Sequence, residues 1–333
     1  MGKRVQQWLL LCMALVAIIV LIGGITRLTG SGLSMVDWKP ILGSIPPLSS
    51  DDWAMAFNAY KQSPEYIKIN AGMTLNQFKF IFFWEYLHRM IGRCIGLIAV
   101  VPFLYFLVKK QLSATFARRW LIIISLIGCQ GLMGWFMVKS GLVDNPHVSH
   151  FRLAAHLSLA FLIFSLILKD YLRIVFPIKS KPSGLIWAVT GVLGLQIVYG
   201  AFTAGLHAGK YYTTYPTMGG QWFPDSALML PGGALNNFLN NPIAIQWVHR
   251  WLAVAVVVGA VLVWQQCKKS QNIQYQYAGL LLIVCVGFQF LLGIATLVSM
   301  VWVPVALAHQ FGALALLSSM VVVGHLHHPV TPS

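Results

Sequence analysis

Eight long apolar runs separate the short polar segments of this chain, and they constrain its fold more than any other feature. Each run is long enough to cross the roughly 30 Å hydrocarbon core of a bilayer as a helix. Because lipid offers no hydrogen-bond partners, the backbone of each run must satisfy itself internally, which favours α-helices. We predict membrane-spanning helices over residues 8–26, 79–108, 118–138, 150–175, 184–204, 243–266, 276–298 and 303–325.

Composition and charge agree with a membrane protein. Hydrophobic residues make up 58% of the chain and charged residues only 9%, whereas soluble domains carry about 25% charged residues. The net charge of +15 does not indicate nucleic-acid binding, because lysine and arginine lie mostly in short loops between the apolar runs. Their excess in the N-terminal tail and in the loops after the second, fourth and sixth runs predicts that both termini lie on the cytoplasmic or matrix side.

Two long loops, residues 27–78 and 205–242, lie on the opposite, outer side of the predicted topology. Long ordered loops often carry function, although a passive cap over the helices is an equal alternative. In the first loop, the spacing of polar and aromatic residues predicts a short amphipathic helix at the outer surface. Its residues include Asp51, Asp52, Trp53, Phe57 and Tyr60.

The second half of the chain repeats the first. Four groups of residues match in the same order: Gly23-Gly24-Ile25-Thr26 with Gly200-Ala201-Phe202-Thr203, Glu85-Tyr86-Leu87-His88-Arg89 with Gln246-Trp247-Val248-His249-Arg250, Gln130 and Gly134 with Gln289 and Gly293, and Leu153-Ala154-Ala155-His156 with Ala306-Leu307-Ala308-His309. An even number of helices separates the copies, so both have the same orientation. We therefore predict an all-α polytopic membrane protein of two pseudo-symmetric four-helix bundles, residues 1–178 and 179–333, arranged as a parallel tandem repeat.

Four histidines, His88, His156, His249 and His309, lie inside the apolar runs at matched positions of the repeat. Ionisable residues in a membrane are costly and usually functional. Zinc needs three or four nitrogen or sulfur ligands, and copper usually recruits methionine or cysteine as well. Two imidazoles on facing helices with apolar walls suit heme iron best. We assign His88 with His156 to one heme and His249 with His309 to the other.

Three arginines, Arg89, Arg93 and Arg250, lie near these histidines in the sequence. They are candidates for pairing with heme propionates. The alternative is that their side chains snorkel to the lipid headgroups.

The halves differ at one position beside the histidines, where the first half has Glu85 and the second has Gln246. Glu85 lies one turn from His88 on the same helix face and could act as an acid, a base or a local charge. This difference favours chemistry in the first half and electron transfer in the second. The alternative is that Glu85 only orients His88 or a neighbouring helix.

Three further histidines, His325, His327 and His328, follow or end the last apolar run. Chain termini are usually poorly ordered, so we expect a disordered tail here. A weak metal site is the alternative.

Several of these segments resemble the signatures of the heme A synthase family. They are Phe82-Phe83-Trp84-Glu85-Tyr86-Leu87-His88-Arg89-Met90-Ile91-Gly92-Arg93, Gly23-Gly24-Ile25-Thr26-Arg27-Leu28-Thr29-Gly30-Ser31-Gly32-Leu33-Ser34 and Gln246-Trp247-Val248-His249-Arg250. The resemblance covers essentially the whole chain. Some members carry a cysteine pair in the first outer loop, and this chain has none there. It therefore resembles the mitochondrial and proteobacterial branch, and a mechanism that relies on that pair is excluded.

The resemblance implies oxidation of the C8 methyl group of heme O, through an alcohol, to the formyl group of heme A. It implies that His88 and His156 hold the substrate heme O, that Glu85 assists catalysis, and that His249 and His309 hold a permanent heme B. An iron with two imidazole ligands has no free position for oxygen, so either one histidine leaves or the iron acts otherwise. The implied partners are heme O synthase and the assembly of cytochrome oxidase. The electron acceptor is not identified, and a homo-oligomer stays open.

Three other functions share parts of this pattern. A di-heme, cytochrome b-type quinol electron carrier would use the four histidines without needing Glu85. A transporter built on parallel repeats predicts polar residues along a path through both leaflets, whereas the inner half of this chain is apolar. A heme-delivery or assembly factor would bind heme O and release it unchanged.

Overall fold

Long helices dominate the computed structural model, which describes residues 2–36, 43, 45–142, 146–178 and 181–327. Within these residues the regular structure is helical, without strands. The eight predicted spans are confirmed, with ends shifted by at most a few residues. The α-helices are α1 Lys3–Leu28, α2 Ser50–Lys61, α3 Pro64–Lys68, α4 Leu75–Val108, α5 Ala114–Lys139, α6 His150–Val175, α7 Gly184–Gly205, α8 Gly233–Asn240, α9 Pro242–Lys268, α10 Ile273–Val298 and α11 Val303–Leu326.

Short polar residues start most of these helices. Their side-chain oxygens accept hydrogen bonds from backbone N–H groups of the first turn, which have no partner within the helix. Ser49 with Asp52, and Thr74 with Gln77, form reciprocal capping boxes at α2 and α4. The other side-chain caps are Ser63, Ser113, Ser183, Asn241 and Asn272. The boundaries of the apolar runs therefore follow from local sequence.

The surfaces of the long helices are apolar. Large hydrophobic side chains such as Leu97, Leu132, Val258 and Leu291 are more than half exposed. A soluble protein rarely presents such continuous apolar surface to water. Eight helices of the described chain are long and apolar enough to span a bilayer, namely α1, α4–α7 and α9–α11. The chain is an integral membrane protein.

The chain divides into two compact units, Met1–Ala160 and Phe161–Ser333. The boundary falls within α6, so the division into bundles at residue 178 stays a prediction. In the first unit, the Trp8 ring of α1 contacts that of Trp120 on α5, with centroids 4.1 Å apart and planes tilted by 37°. Trp8 also donates a hydrogen bond to the carbonyl of Ile98 on α4 (2.8 Å). These aromatic contacts join three of its helices.

The histidines at the end of α11 are ordered and buried, so the expectation of a disordered tail is wrong for His325 and His327. His325 hydrogen-bonds the carbonyl of Phe176 (2.8 Å), and His327 hydrogen-bonds that of Lys181 (2.8 Å). These two hydrogen bonds join the end of α11 to the connection between α6 and α7. They join residues distant in sequence, which local pattern does not reveal. His328 lies outside the described residues.

The predicted helix is confirmed as α2, and its apolar face packs against the N-terminal end of α4. Phe57 and Tyr60 of α2 form one cluster with Phe78, Ile81 and Phe82 of α4. The first turns of α4 pack against α2, and α4 is longer than the other spans. The helix that carries Glu85 and His88 is thereby held at its N-terminal end.

Beneath α2, the carboxyl group of Glu65 on α3 is buried, with only 6% of the residue exposed. It accepts a hydrogen bond from the Tyr60 hydroxyl (3.0 Å), which itself accepts one from the Asn70 amide (2.7 Å). Burial raises the pKa of Glu65 from 4.5 to about 7, and the charge of Glu85 adds to this, while the bond from Tyr60 opposes it. The folded chain therefore prefers Glu65 protonated.

We predict that stability falls as the pH rises between about 4.5 and about 7, because the folded state holds a proton that the unfolded state has lost. The contribution is on the order of 3 kcal/mol. The thermal unfolding midpoint of the detergent-solubilised protein should therefore decrease over this range, and Glu65→Gln should flatten the decrease. Asp51→Asn, at an exposed position of α2, is the control. Equal slopes for wild type and Glu65→Gln would contradict the assignment.

Candidate functional site

The four histidines lie on four spans, with His88 on α4 and His156 on α6 in the first unit, and His249 on α9 and His309 on α11 in the second. The Nδ1 atoms of His88, His249 and His309 are buried and make no hydrogen bond of good geometry to the described residues. A buried polar atom without a partner is costly. Such atoms mark the rings as candidates for binding a group that is not part of the chain.

In the second unit, the ring centroids of His249 and His309 are 6.4 Å apart and the ring planes are nearly perpendicular, at 87°. An imidazole nitrogen lies about 2 Å from a bound metal ion, and the ring centroid about 1 Å further, so two rings on opposite sides of one ion have centroids about 6 Å apart. The observed separation matches this value. The pair therefore fits the two axial positions of a heme iron.

In the first unit, α5 contacts the segment of α6 that carries His156. Gln130 of α5 donates a hydrogen bond to the backbone carbonyl of His156 (3.0 Å), and its amide nitrogen lies 3.2 Å from Nδ1 of the ring. Gln289 of α10 makes the same bond to the carbonyl of His309 (3.0 Å). The matched glutamines thus hold the matched histidine segments in both units.

No group of three or more His, Cys, Asp or Glu side chains in the described ranges is placed to hold a metal ion directly. The histidines come in pairs, and pairs leave the remaining coordination positions to another ligand. A porphyrin supplies four of its own nitrogens, so the donor set present fits heme.

Glu85 is buried, with 3% of the residue exposed, and its two carboxylate oxygens have different partners. Oε1 accepts a hydrogen bond from Arg89 (2.6 Å), an ion pair along one turn of α4. Oε2 accepts hydrogen bonds from the Ser34 hydroxyl (2.6 Å) and the Met35 N–H (2.8 Å). Arg89 also donates to the carbonyl of Met35 (3.0 Å). This network ties α4 to the segment that follows α1.

The partners of Glu85 on that segment were missed by the sequence analysis. Ser34 and Met35 lie about fifty positions before Glu85, so periodicity along one helix cannot reveal them. The available signal was the motif from Gly30 to Ser34, which carries the family resemblance without an assigned role. The structure gives it one, because Ser34 holds the carboxylate.

The equivalent residues of the second unit bind a loop through its carbonyls. Gln246 Nε2 donates to the carbonyl of Tyr212 (2.8 Å). Arg250 donates to the carbonyls of Tyr212 (3.0 Å) and Thr214 (2.7 Å), with a longer contact to that of Thr217 (3.3 Å). Arg250 forms no ion pair within the described residues. The exchange of glutamate for glutamine therefore leaves this arginine without a carboxylate.

All three arginines predicted to contact propionates have protein partners. Arg89 binds Glu85 and Met35, and Arg250 binds the 212–217 loop. Arg93 lies one turn further along α4, with Nη1 3.6 Å from the sulfur of Met90. Contact of these arginines with propionates stays a prediction.

The chain is similar to known proteins over almost its whole length. Residues 6–321 match the model of a family described as cytochrome oxidase assembly protein (COX15-CtaA). The chain is 43% identical to the heme A synthase of Rhodospirillum centenum, covering 98% of this chain and 89% of that protein. It is 40% identical to the heme A synthase of Nitrosomonas eutropha (94% and 90% covered) and 41% identical to that of Flavobacterium johnsoniae (97% and 98% covered).

We predict that Arg250→Lys destabilises the protein by about 2 kcal/mol, because one ammonium group cannot replace the spread of donors of the guanidinium. The thermal unfolding midpoint should fall, and protease should cleave the 212–217 loop faster. Lys269→Ala, at the exposed inner end of the same helix, should leave both unchanged. An Arg250→Lys protein with wild-type midpoint and cleavage rate would show that the carbonyl contacts contribute little.

Proposed function

Since the chain belongs to the cytochrome oxidase assembly protein family, we propose that it is a heme A synthase, an oxidoreductase that converts the C8 methyl group of heme O into the formyl group of heme A. The relatives named heme A synthase support this, because the alignments cover nearly their whole length. The four histidines support heme as the group that is bound. The same comparisons favour this function over a di-heme quinol electron carrier.

The observation that carries the proposal is the buried carboxylate of Glu85 beside one histidine pair and its replacement by Gln246 beside the other. An electron carrier needs no acid or base next to either heme, whereas oxidation of a methyl group must remove protons as well as electrons. We therefore assign the substrate heme O to His88 and His156, and a resident heme B to His249 and His309. Bound heme B supplies electron transfer at the second site.

Glu85 is placed to hold a proton at Oε2, where the Ser34 hydroxyl already donates a hydrogen bond of 2.6 Å. Arg89 forms an ion pair with Oε1. Ser34 and Met35 fix the orientation of the carboxylate, and the segment that carries them covers this part of α4. Together these residues provide a base that is shielded from water, with its orientation set before substrate binds.

We propose that the protein lies in the bacterial cytoplasmic membrane or the mitochondrial inner membrane with both termini on the cytoplasmic or matrix side. The distribution of lysine and arginine supports this orientation. The two histidine pairs then lie nearer the outer ends of their helices. Proposed partners are heme O synthase, which supplies the substrate, and the assembly of cytochrome oxidase, which uses the product.

We predict that Glu85→Gln lowers heme A formation on the order of 100-fold in a host that produces heme O, because loss of a general base typically has this effect. Hemes would be extracted from membranes, separated by chromatography and identified by mass. Asp51→Asn should form heme A as wild type does. Undiminished heme A in Glu85→Gln would contradict the role of Glu85, and no heme A from wild type would contradict the proposed function.

We predict that replacing a histidine of the second pair removes bound heme B, whereas replacing one of the first pair does not. His249→Ala should lose the absorption spectrum of heme B, because one of two axial ligands is removed from the second site. In a host that makes heme B but no heme O, His88→Ala should keep that spectrum. Loss of heme B in His88→Ala alone would reverse the assignment of the two sites.

A further inference from the structure

Each of the four histidine rings lies against a glycine of a neighbouring helix. A Cβ atom built on Gly23 would lie 3.0 Å from Cε1 of His88, and one on Gly200 would lie 3.0 Å from Cε1 of His249. The corresponding distances are 3.1 Å from Gly134 to His156 and 3.1 Å from Gly293 to His309. The same contact therefore occurs four times, twice within each unit.

These glycines occupy matched positions of the sequence repeat, as the histidines do. Gly23 corresponds to Gly200, and Gly134 corresponds to Gly293. All four lie in helices, and none has a positive φ. Backbone conformation therefore does not require glycine here, although glycine in a helix costs about 1 kcal/mol relative to alanine. The space that it leaves for the imidazole is the remaining reason.

Other glycines on the same helices lack this relation to a histidine. A Cβ on Gly131 of α5, Gly191 or Gly194 of α7, or Gly287 of α10 would meet nothing within 4 Å. Small residues are common in membrane helices wherever backbones approach. The contacts with imidazole rings therefore occur at particular glycines and do not follow merely from the number of glycines in these helices.

The geometry of the four contacts is the same in detail. Cε1 is the nearest ring atom in every case, and the two ring nitrogens follow at 3.5–3.9 Å. An alanine methyl group at 3.0–3.1 Å would lie inside the about 3.5–4.0 Å at which two carbon atoms attract. The ring would have to shift by a few tenths of an ångström or rotate. Each glycine thus leaves room for the ring orientation that is observed, which an alanine would change.

We propose that Gly23, Gly134, Gly200 and Gly293 are positioning residues that set the planes of the axial imidazoles, and through them the electronic state of the iron. This inference rests on the proposed heme ligation by the four histidines. In the second unit the two planes are at 87°. The spectrum and the reduction potential of a heme iron with two imidazoles depend on that angle and on ligand orientation.

The second unit offers the clearest test, because its proposed heme B is resident and no turnover is needed. Purified full-length wild type, Gly293→Ala and Gly287→Ala would be compared by low-temperature electron paramagnetic resonance, redox titration and heme B affinity. The two glycines lie on the same helix, α10, and differ in whether a Cβ meets the imidazole. Gly287→Ala thus controls for the change in helix propensity.

We expect Gly293→Ala to shift the largest g value of the low-spin ferric spectrum and the midpoint potential, and to weaken heme B binding about tenfold. Gly287→Ala should match wild type in all three. Wild-type values in Gly293→Ala, or equal changes in both variants, would overturn the proposal. Wild type without heme B would instead overturn the heme ligation on which it rests.

A second pair of variants decides the matter if Gly293→Ala fails to fold. Gly200→Ala on α7 faces His249, while Gly191→Ala on the same helix meets nothing. A shifted g value in Gly200→Ala alone would support the proposal. Identical spectra in the two variants would overturn it.

Discussion

Lipid cannot hydrogen-bond to protein, so every polar group in the spanning segments must find its partner within the chain or in a bound group. The helices satisfy the backbone. Glu85 is satisfied by Arg89, Ser34 and Met35, which come from its own helix and from the segment after α1. The buried Nδ1 atoms of three histidines make no hydrogen bond of good geometry to the described residues. In the proposed function, the benefit of binding iron offsets the cost of placing imidazoles in lipid.

One change of side chain gives the two units different electrostatics. In the first, Glu85 neutralises Arg89 in a buried ion pair. In the second, Gln246 is neutral, and Arg250 is held only by carbonyl dipoles of the 212–217 loop. A positive charge held near a heme favours the reduced iron by Coulomb attraction. In the proposed function, this difference gives the first unit an acid–base group and gives the second unit a local charge that suits an electron acceptor.

Most of the fold could be predicted from the sequence, because long apolar runs indicate the helix spans and short polar residues mark where the helices begin. The histidine positions and the contrast between Glu85 and Gln246 were also visible there. The partners of Glu85 and Arg250 were not, because Ser34, Met35 and the 212–217 loop approach α4 and α9 across long sequence separations. The glycines were visible as repeat matches, but only the structure shows that each one faces a ring.

The buried histidines that follow the last span bear on how the protein is made. His325 and His327 hydrogen-bond carbonyls of residues 149 and 146 positions earlier. These bonds cannot form until α11 has left the ribosome and entered the membrane. The bonds of Glu85 to Ser34 and Met35 join residues that are synthesised much sooner. The proposed substrate site can therefore assemble during translation, whereas the contact of the last helix with the connection between α6 and α7 must wait until that helix is made.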